Sequence, residues 1–457
     1  MIAVLWLVYD LAIALVVTCV LVPAKLVGIA LGRSRWRDLE QRLGRPSAAD
    51  HLPERCILVH AVSAGEMAAA SSLVPAVLEQ RPDTRFVITA GNRHGRDAAE
   101  RLFSRTPAVG AIRLLPWDRR RAVRRWLRAL APDAVVVVET EIWPNLFRVC
   151  RELDIPLFVV NGRVYPGDVP RYRLVRGFFA DVLAAVDWIG ALDGAAAEAF
   201  RRIGAHPDRI DVVGDLKFDR PLEGLPIPEP WRSVLGGPSR GPLIAAASTH
   251  RPEEAVLLDA IVSLRPRFPR VRLVLAPRHP ERCAGVARLA ASRGLAAARW
   301  SRPETAAAGW DVLLVDGIGS LAAVFGYADI AFIGGSLAPR GGHNPLEAAA
   351  CGCPIVMGPS TDHFRGIVDE MAAAGALIVL PPGRAAVPQL TDDLAILLAD
   401  RRSREEMGRR ALAYLAERRG VARRYAGALL AREHVRTADR QPSATVEGAG
   451  RQRGRSK

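Results

Sequence analysis

Short runs of Val, Ile and Leu alternate with helix-length amphipathic stretches along most of this chain, and no other feature restricts the fold as much. Strand, helix, strand in repetition is the pattern of parallel α/β units, in which helices cover both faces of a sheet. The expected strands are Cys56–His60, Phe86–Ala90, Ile112–Leu115, Ala134–Glu139, Leu157–Asn161 and Ile210–Gly214. The alternation then stops. Between Pro221 and Pro242 stand Pro226, Pro228, Pro230, Gly236, Gly237 and Pro238, too many breakers for regular structure and well suited to a linker. Beyond it come Leu243–Ala247, Val271–Ala276, Val312–Val315, Ile330–Gly334, Pro354–Met357 and Leu377–Leu380. A length of 457 residues fits about two domains. We expect two doubly wound α/β domains facing each other across a cleft, residues 32–222 and 243–432, joined by a linker over 223–242.

The two ends differ from this body. From Met1 to Ile29 the only charged side chains are Asp10 and Lys25, so residues 1–31 read as an N-terminal membrane-anchor helix, close to the ~20 apolar residues a full span needs. No basic residues precede the apolar run, which argues against a cleaved signal peptide. Lys25, Arg33, Arg35 and Arg37 follow it, and Lys/Arg excess marks the cytoplasmic side. Residues 433–457 are polar, lack a hydrophobic period and end in Arg451, Arg453, Arg455 and Lys457, which reads as a disordered basic tail.

A net charge of +15 favours an anionic partner: nucleic acid, acidic lipid or a phosphorylated substrate. Nucleic acid fits poorly, because aromatic platforms and recognition modules are lacking. The six cysteines are scattered, with neither zinc-knuckle nor redox-pair spacing, and read as reduced thiols in a cytoplasmic protein. No cofactor is expected, and no carboxylate cluster suggests a metal.

Several strand ends carry chemistry. His60-Ala61-Val62-Ser63-Ala64-Gly65-Glu66 ends a strand in small residues and opens a helix at a carboxylate, which suits a proton acceptor or a side chain that merely complements the helix dipole. Glu139-Thr140-Glu141-Ile142-Trp143-Pro144-Asn145 puts two carboxylates at a carboxyl strand end, where α/β proteins place ligands. Lys217 lies in Gly214-Asp215-Leu216-Lys217-Phe218-Asp219, just before the linker. In the second half, Pro277-Arg278-His279 offers a guanidinium fork for phosphate. Gly334-Gly335-Ser336 and Gly341-Gly342-His343-Asn344-Pro345-Leu346-Glu347 place glycines before a helix start, where backbone N–H groups can meet a phosphate. Arg119, Arg120, Arg121, Arg124, Arg125 and Arg128, with Val123, Trp126, Leu127 and Leu130, form a basic amphipathic helix suited to anionic headgroups or to solvent.

Taken in order, HAVSAGE, ETEIWPN, DLKFD, ASTH, PRHPER, GGHNPLEAAA and GPSTDHF resemble the motifs of the bacterial 3-deoxy-D-manno-octulosonic acid (Kdo) transferases, from the anchor to about Arg419. The resemblance implies two Rossmann-like domains of the GT-B type and inverting, metal-independent transfer of Kdo from CMP-Kdo to a lipid A precursor. The setting implied is the cytoplasmic face of the inner membrane, without nucleic acid. It implies that Glu66 is the general base and that Glu139 and Lys217 stabilise the transition state. CMP contacts are implied for Pro277, Arg278, His279, Ile318, Gly319, Ser320, Asn344, Pro345, Leu346 and Glu347.

The chain departs from the family pattern at Asp316-Gly317-Ile318-Gly319-Ser320-Leu321, where a hydroxyl replaces a Glu expected near the nucleotide. It also departs at Thr89–Arg96 and Asn161–Tyr165 in the acceptor-side domain. Another nucleotide sugar or acceptor on the same fold is the alternative reading.

Overall fold

A computed structural model of the chain describes residues 2–32, 35–46, 56–165, 167–219, 227, 229–236, 241–306, 309–317 and 324–440. The chain divides into two compact units, Met1–Arg220 with Gly420–Lys457, and Pro221–Arg419.

The first unit is built on a sheet of seven strands among the described residues: β1 (Cys56–Ala61), β2 (Arg85–Ala90), β3 (Val109–Leu114), β4 (Ala134–Val138), β5 (Leu157–Gly162), β6 (Trp188–Ala191) and β7 (Ile210–Val212). Their order is β3-β2-β1-β4-β5-β6-β7 with parallel pairing throughout. Continuous apolar runs form these strands because both faces are buried. In β4, Val135 and Val137 enter one core cluster while Ala134, Val136 and Val138 enter the other. The order reverses direction between β1 and β4, and the crevice beyond the carboxyl ends of such a pair is where doubly wound sheets bind ligands.

The second unit repeats the plan with β8 (Leu243–Thr249), β9 (Arg272–Pro277), β10 (Ala297–Arg299), β11 (Val312–Leu314), β12 (Ile330–Ile333), β13 (Ile355–Met357) and β14 (Leu377–Val379). Their order is β10-β11-β9-β8-β12-β13-β14, so the reversal falls between β8 and β12. The two doubly wound α/β domains expected from the alternation are present.

Three boundaries differ from the sequence-based ones. The helix Val421–Arg440 runs eight residues into the expected tail and belongs to the first unit, not the second. Tyr425 and Leu429 bury themselves in the core beside the helix Ala64–Gln80, the Tyr425 hydroxyl donates to the Gly190 and Gly214 carbonyls (2.9 and 3.1 Å), and the Asp219 carboxylate accepts from the Gly420 and Ala422 amides (2.7 and 2.5 Å). Residues 441–457 lie outside the described residues. Within the expected linker, Trp231–Gly236 is a helix whose Trp231 stacks on Trp300 at 5.1 Å, which ties it to the second unit.

The apolar N-terminus is helical from Ile2 to Ala30, with one π-turn at Val17–Leu21. It is long and apolar enough to cross a membrane, and only 11% of its most apolar window is buried. Val4, Leu7, Val8, Leu11, Leu15 and Val20 are exposed. The other face is docked on the first unit. Trp6 is buried against Phe178 (ring centroids 4.8 Å) and donates to Asp181 (2.8 Å), and the Tyr9 hydroxyl donates to Asp118 (2.7 Å).

Candidate active site

Glu66 stands at the third position of the helix that follows β1. Its carboxylate accepts from the Val62 amide (2.5 Å) and the Ser63 hydroxyl (2.9 Å), while the Ser63 oxygen accepts from the Glu66 amide (3.3 Å). This is a variant of the capping box, legible as Ser-x-x-Glu. Each carboxylate oxygen retains a second lone pair, so capping does not consume its capacity to take a proton. The loop is also wedged from the side: a Cβ on Gly95 would collide with the Val62 carbonyl, so the next helix can pack there only as glycine.

The loop after β4 brings the other acids. Glu139 takes φ +64°, a left-handed conformation that costs a non-glycine residue energy and persists only where the surroundings impose it. Its amide donates to the Val160 carbonyl (3.0 Å) and the Asn161 side chain reaches its carboxylate at 3.5 Å. Asn161 is itself left-handed at φ +54°, fully buried, and accepts from the Leu216 amide (2.9 Å), which fixes the turn carrying Lys217. The Lys217 ammonium lies 3.8 Å from Asp215.

These side chains feel one another. Burial raises the Glu139 carboxyl above its ordinary range, Lys217 and Arg163 pull it down, and Glu66 and Asp215 push it up. Burial, then Glu66 and Glu139, push Glu141 up to about 7. Four carboxyls, those of Glu66, Glu139, Glu141 and Asp215, and one ammonium thus gather at the β1/β4 reversal, with the Glu141 carboxyl poised to exchange a proton near neutrality. Beneath them His60 is fully buried beside Thr89 (3.0 Å) and driven down to about 3 by burial, so it is a neutral core residue.

In the second unit Pro277 ends β9, and Arg278 and His279 are exposed beyond it. His250, after β8, and His343, after β12, stack at 5.2 Å with their Nε2 atoms 3.0 Å apart, a contact that shares one proton. Burial, then Arg278 and His250, bring His343 down to about 4, so the pair is neutral at physiological pH. Asn344 accepts from the Leu346 amide (3.1 Å) at the start of the short helix Leu346–Ala350, which carries Glu347.

The glycine loops serve a different purpose from the expected one. The buried Glu253 carboxylate accepts from the amides of His250 (2.8 Å), Gly335 (2.8 Å), Ser336 (2.9 Å), Leu337 (2.9 Å) and Ala338 (3.2 Å). Gly341 donates to Ser360 (2.9 Å) and Gly342 to the Gly335 carbonyl (2.9 Å). These loop amides are satisfied inside the protein, whereas the helix start at Leu346 stands apart from them.

A family model described as 3-deoxy-D-manno-octulosonic-acid transferase (kdotransferase) matches residues 37–220. A protein of Bordetella pertussis named 3-deoxy-D-manno-octulosonic acid transferase is 34% identical over 398 residues, covering 85% of this chain and 90% of that one. The chain belongs to the Kdo transferase family. A Haemophilus influenzae member is 29% identical over 407 residues, with 87% and 92% covered. A glycosyltransferase from Rickettsia africae superposes with a TM-score of 0.55 at 11% identity, covering 84% of this chain and 99% of that one. A UDP-GlcNAc 2-epimerase from Neisseria meningitidis does so with 0.55 at 14%, covering 84% and 100%. These two likenesses show the two-domain, GT-B-like fold.

Of the Kdo transferase residues expected from sequence, the structure gathers Glu66, Glu139 and Lys217 in the first unit. It places Pro277, Arg278, His279, Asn344, Pro345, Leu346 and Glu347 in the second. Ile318, Gly319 and Ser320 lie outside the described residues. Glu253 was missed because acids in a helix's first turn look like ordinary dipole partners. Glu141 has a measurable consequence. Its folded carboxyl holds a proton up to about 7 and the unfolded one up to 4.5, so between these values the folded state binds more protons and stability falls as pH rises. Glu141→Gln removes that fall, which Tm measured across the window will show; an unchanged slope assigns it to another group.

Proposed function

We propose that the protein transfers Kdo from CMP-Kdo to a lipid A precursor at the cytoplasmic face of the inner membrane. The observation that carries the reading is the grouping of Glu66, Glu139, Glu141 and Lys217 at the β1/β4 reversal of a Kdo transferase family member. Glu66 takes the proton of an acceptor hydroxyl as its oxygen bonds to the anomeric carbon of the sugar. The bond from that carbon to the phosphate oxygen breaks with its electron pair, and CMP leaves. Transfer in one displacement inverts the anomeric centre. Lys217, held by Asp215 and facing Glu139, supplies positive charge for the sugar carboxylate and the developing negative charge. Arg278 and His279 supply charge and donors to the departing phosphate, with Asn344 and Glu347 on the nucleotide.

Membrane attachment is supported by the exposed apolar face of the N-terminal helix and by the helix Arg120–Leu130 beside it. The apolar side of the latter is core, since Val123, Trp126, Leu127 and Leu130 are buried, and Arg121, Arg125 and Arg128 are exposed on the other side. Arg119, Arg120 and Arg121 line one pocket with Asp10, Ile13 and Ala14 of the apolar helix, which suits a surface at anionic headgroups.

The test is to incubate membranes containing the protein with lipid A precursor and CMP-Kdo generated in place, then weigh the lipids. A mass increase of one or more Kdo units is expected. An unmodified lipid with consumed donor moves the acceptor elsewhere, and turnover with a UDP-sugar instead moves the donor.

A further inference from the structure

The helix Pro144–Glu152 begins immediately after the acidic loop, and its N-cap, Trp143, offers no capping side chain. The cap comes from elsewhere in the chain. The Asp118 carboxylate, 1% exposed, accepts from the amides of Asn145 (2.8 Å) and Leu146 (2.9 Å), two of the helix's orphan donors. It also accepts from the Tyr9 hydroxyl (2.7 Å). The fully buried Asn145 spends its side-chain amide on the Asp118 carbonyl (2.8 Å) and the Asp10 carboxylate (2.8 Å), and Arg148 approaches Asp10 at 3.4 Å. Two of the five side chains in this network, Tyr9 and Asp10, therefore belong to the apolar N-terminal helix.

For attachment alone this arrangement is unnecessary and even costly. Exposed Leu and Val side chains suffice to enter a bilayer, whereas an ionisable residue in an apolar span is expensive and marks a function by default. Asp10 finds its partners, Asn145 and Arg148, in the helix that follows the Glu139–Glu141 loop. A buried polar network is directional, so it fixes the rotation and height of the helix start to which it is bonded. That start is the downstream stem of the Glu139–Glu141 loop. The upstream stem is β4, clamped within the sheet.

We propose that Tyr9 and Asp10 are positioning residues for this acidic loop, acting through Asp118 and Asn145, so that the N-terminal helix sets the placement of the site's carboxyls as well as attaching the enzyme. The proposal rests on the reading of Glu139 and Glu141 as site residues. Catalytic geometry is sensitive at this scale, since a misplacement of about 1 Å can cost ~10²-fold in rate.

The test uses the full-length protein in detergent with Tyr9→Phe and Asp10→Ala, both of which keep or increase the helix's apolarity. Four quantities are measured: partition into membranes, Tm, kcat per folded molecule well below Tm, and KM for the nucleotide sugar. Expected is unchanged partition and KM, with kcat reduced roughly ten-fold, an intermediate share of that sensitivity. Hydrogen exchange at the Asn145 and Leu146 amides should accelerate in Tyr9→Phe. Adding Asn145→Ala to Tyr9→Phe should cost less than the product of the separate losses, because both act on one network. A wild-type kcat per folded molecule in both single variants overturns the proposal, even with lowered Tm, since a purely structural tie loses folded protein and not turnover. Glu139→Gln and Glu141→Gln run in parallel. If these two keep full turnover, the site reading has failed; if they lose it while Tyr9→Phe and Asp10→Ala do not, only the positioning has.

Discussion

Glu66→Gln should turn over roughly 10²–10⁴-fold more slowly than the native enzyme, the usual worth of a positioned base. The substitution keeps the size and much of the capping. A Gln carbonyl oxygen still accepts from the Val62 amide, and the Ser63 hydroxyl, which donates to the carboxylate in the native protein, can turn to accept from the new amide. The loss of stability should be no more than the ~0.3–1 kcal/mol that a first-turn charge contributes through the helix dipole. Single-turnover rates and Tm on the same preparation separate the two roles of this residue. Near-native turnover with reduced Tm would leave Glu66 as a cap and pass the base to Glu139 or Glu141, whose carboxyls burial raises, that of Glu141 to about 7.

The largest effect on stability is expected at Glu253. Glu253→Ala leaves five amides, those of His250, Gly335, Ser336, Leu337 and Ala338, without their acceptor inside the protein. Each buried orphan costs about 1–3 kcal/mol, though neighbours relax together and the sum is not additive. Breaking a buried charged network typically costs about 3–5 kcal/mol, a large part of the ~5–15 kcal/mol that holds a domain folded. Unfolding of the second unit should move to markedly lower denaturant, and CMP affinity should fall with it because Asn344, proposed above to meet the nucleotide, directly follows Gly342 and His343, whose amides bond to the Gly335 and Gly334 carbonyls. Glu253→Gln, which keeps one accepting oxygen, should fall between the two. A Glu253→Ala protein as stable as the native one would mean that water replaces the carboxylate without loss.

Much of this was legible in the sequence, for identifiable reasons. Strands such as Cys56–Ala61 and Ala134–Val138 stand out because burial on both faces demands unbroken apolar runs. Trp188–Ala191 and Ala297–Arg299 were not seen: they have four and three residues, with a glycine in one and two alanines in the other, and only their neighbours in the sheet make them strands. Glu66, Glu139 and Lys217, proposed as site residues, could be singled out because each follows a strand end or precedes the linker. Glu253 and Asp118 share a further difficulty. Each is a carboxylate serving amides distant in sequence, Gly335–Ala338 in one case and Asn145–Leu146 in the other, and no local pattern records such a partner. The basic helix was read correctly as amphipathic, but periodicity cannot say whether an apolar stripe meets lipid or core, and here it meets core.

The return of Val421–Arg440 to the first unit also sets the order in which the protein can mature on the ribosome. Domains generally fold as units, the earliest-made first. Here the earliest-made sheet lacks the helix that covers part of its core until the last stretch of chain emerges, and until then the pocket for Tyr425 and Leu429 stays open. The inserted unit, Pro221–Arg419, is continuous and can close first. A chain truncated at about residue 419 would therefore carry an intact second unit and an unfinished first one, so loss of the helix Val421–Arg440 would be felt in the unit made first.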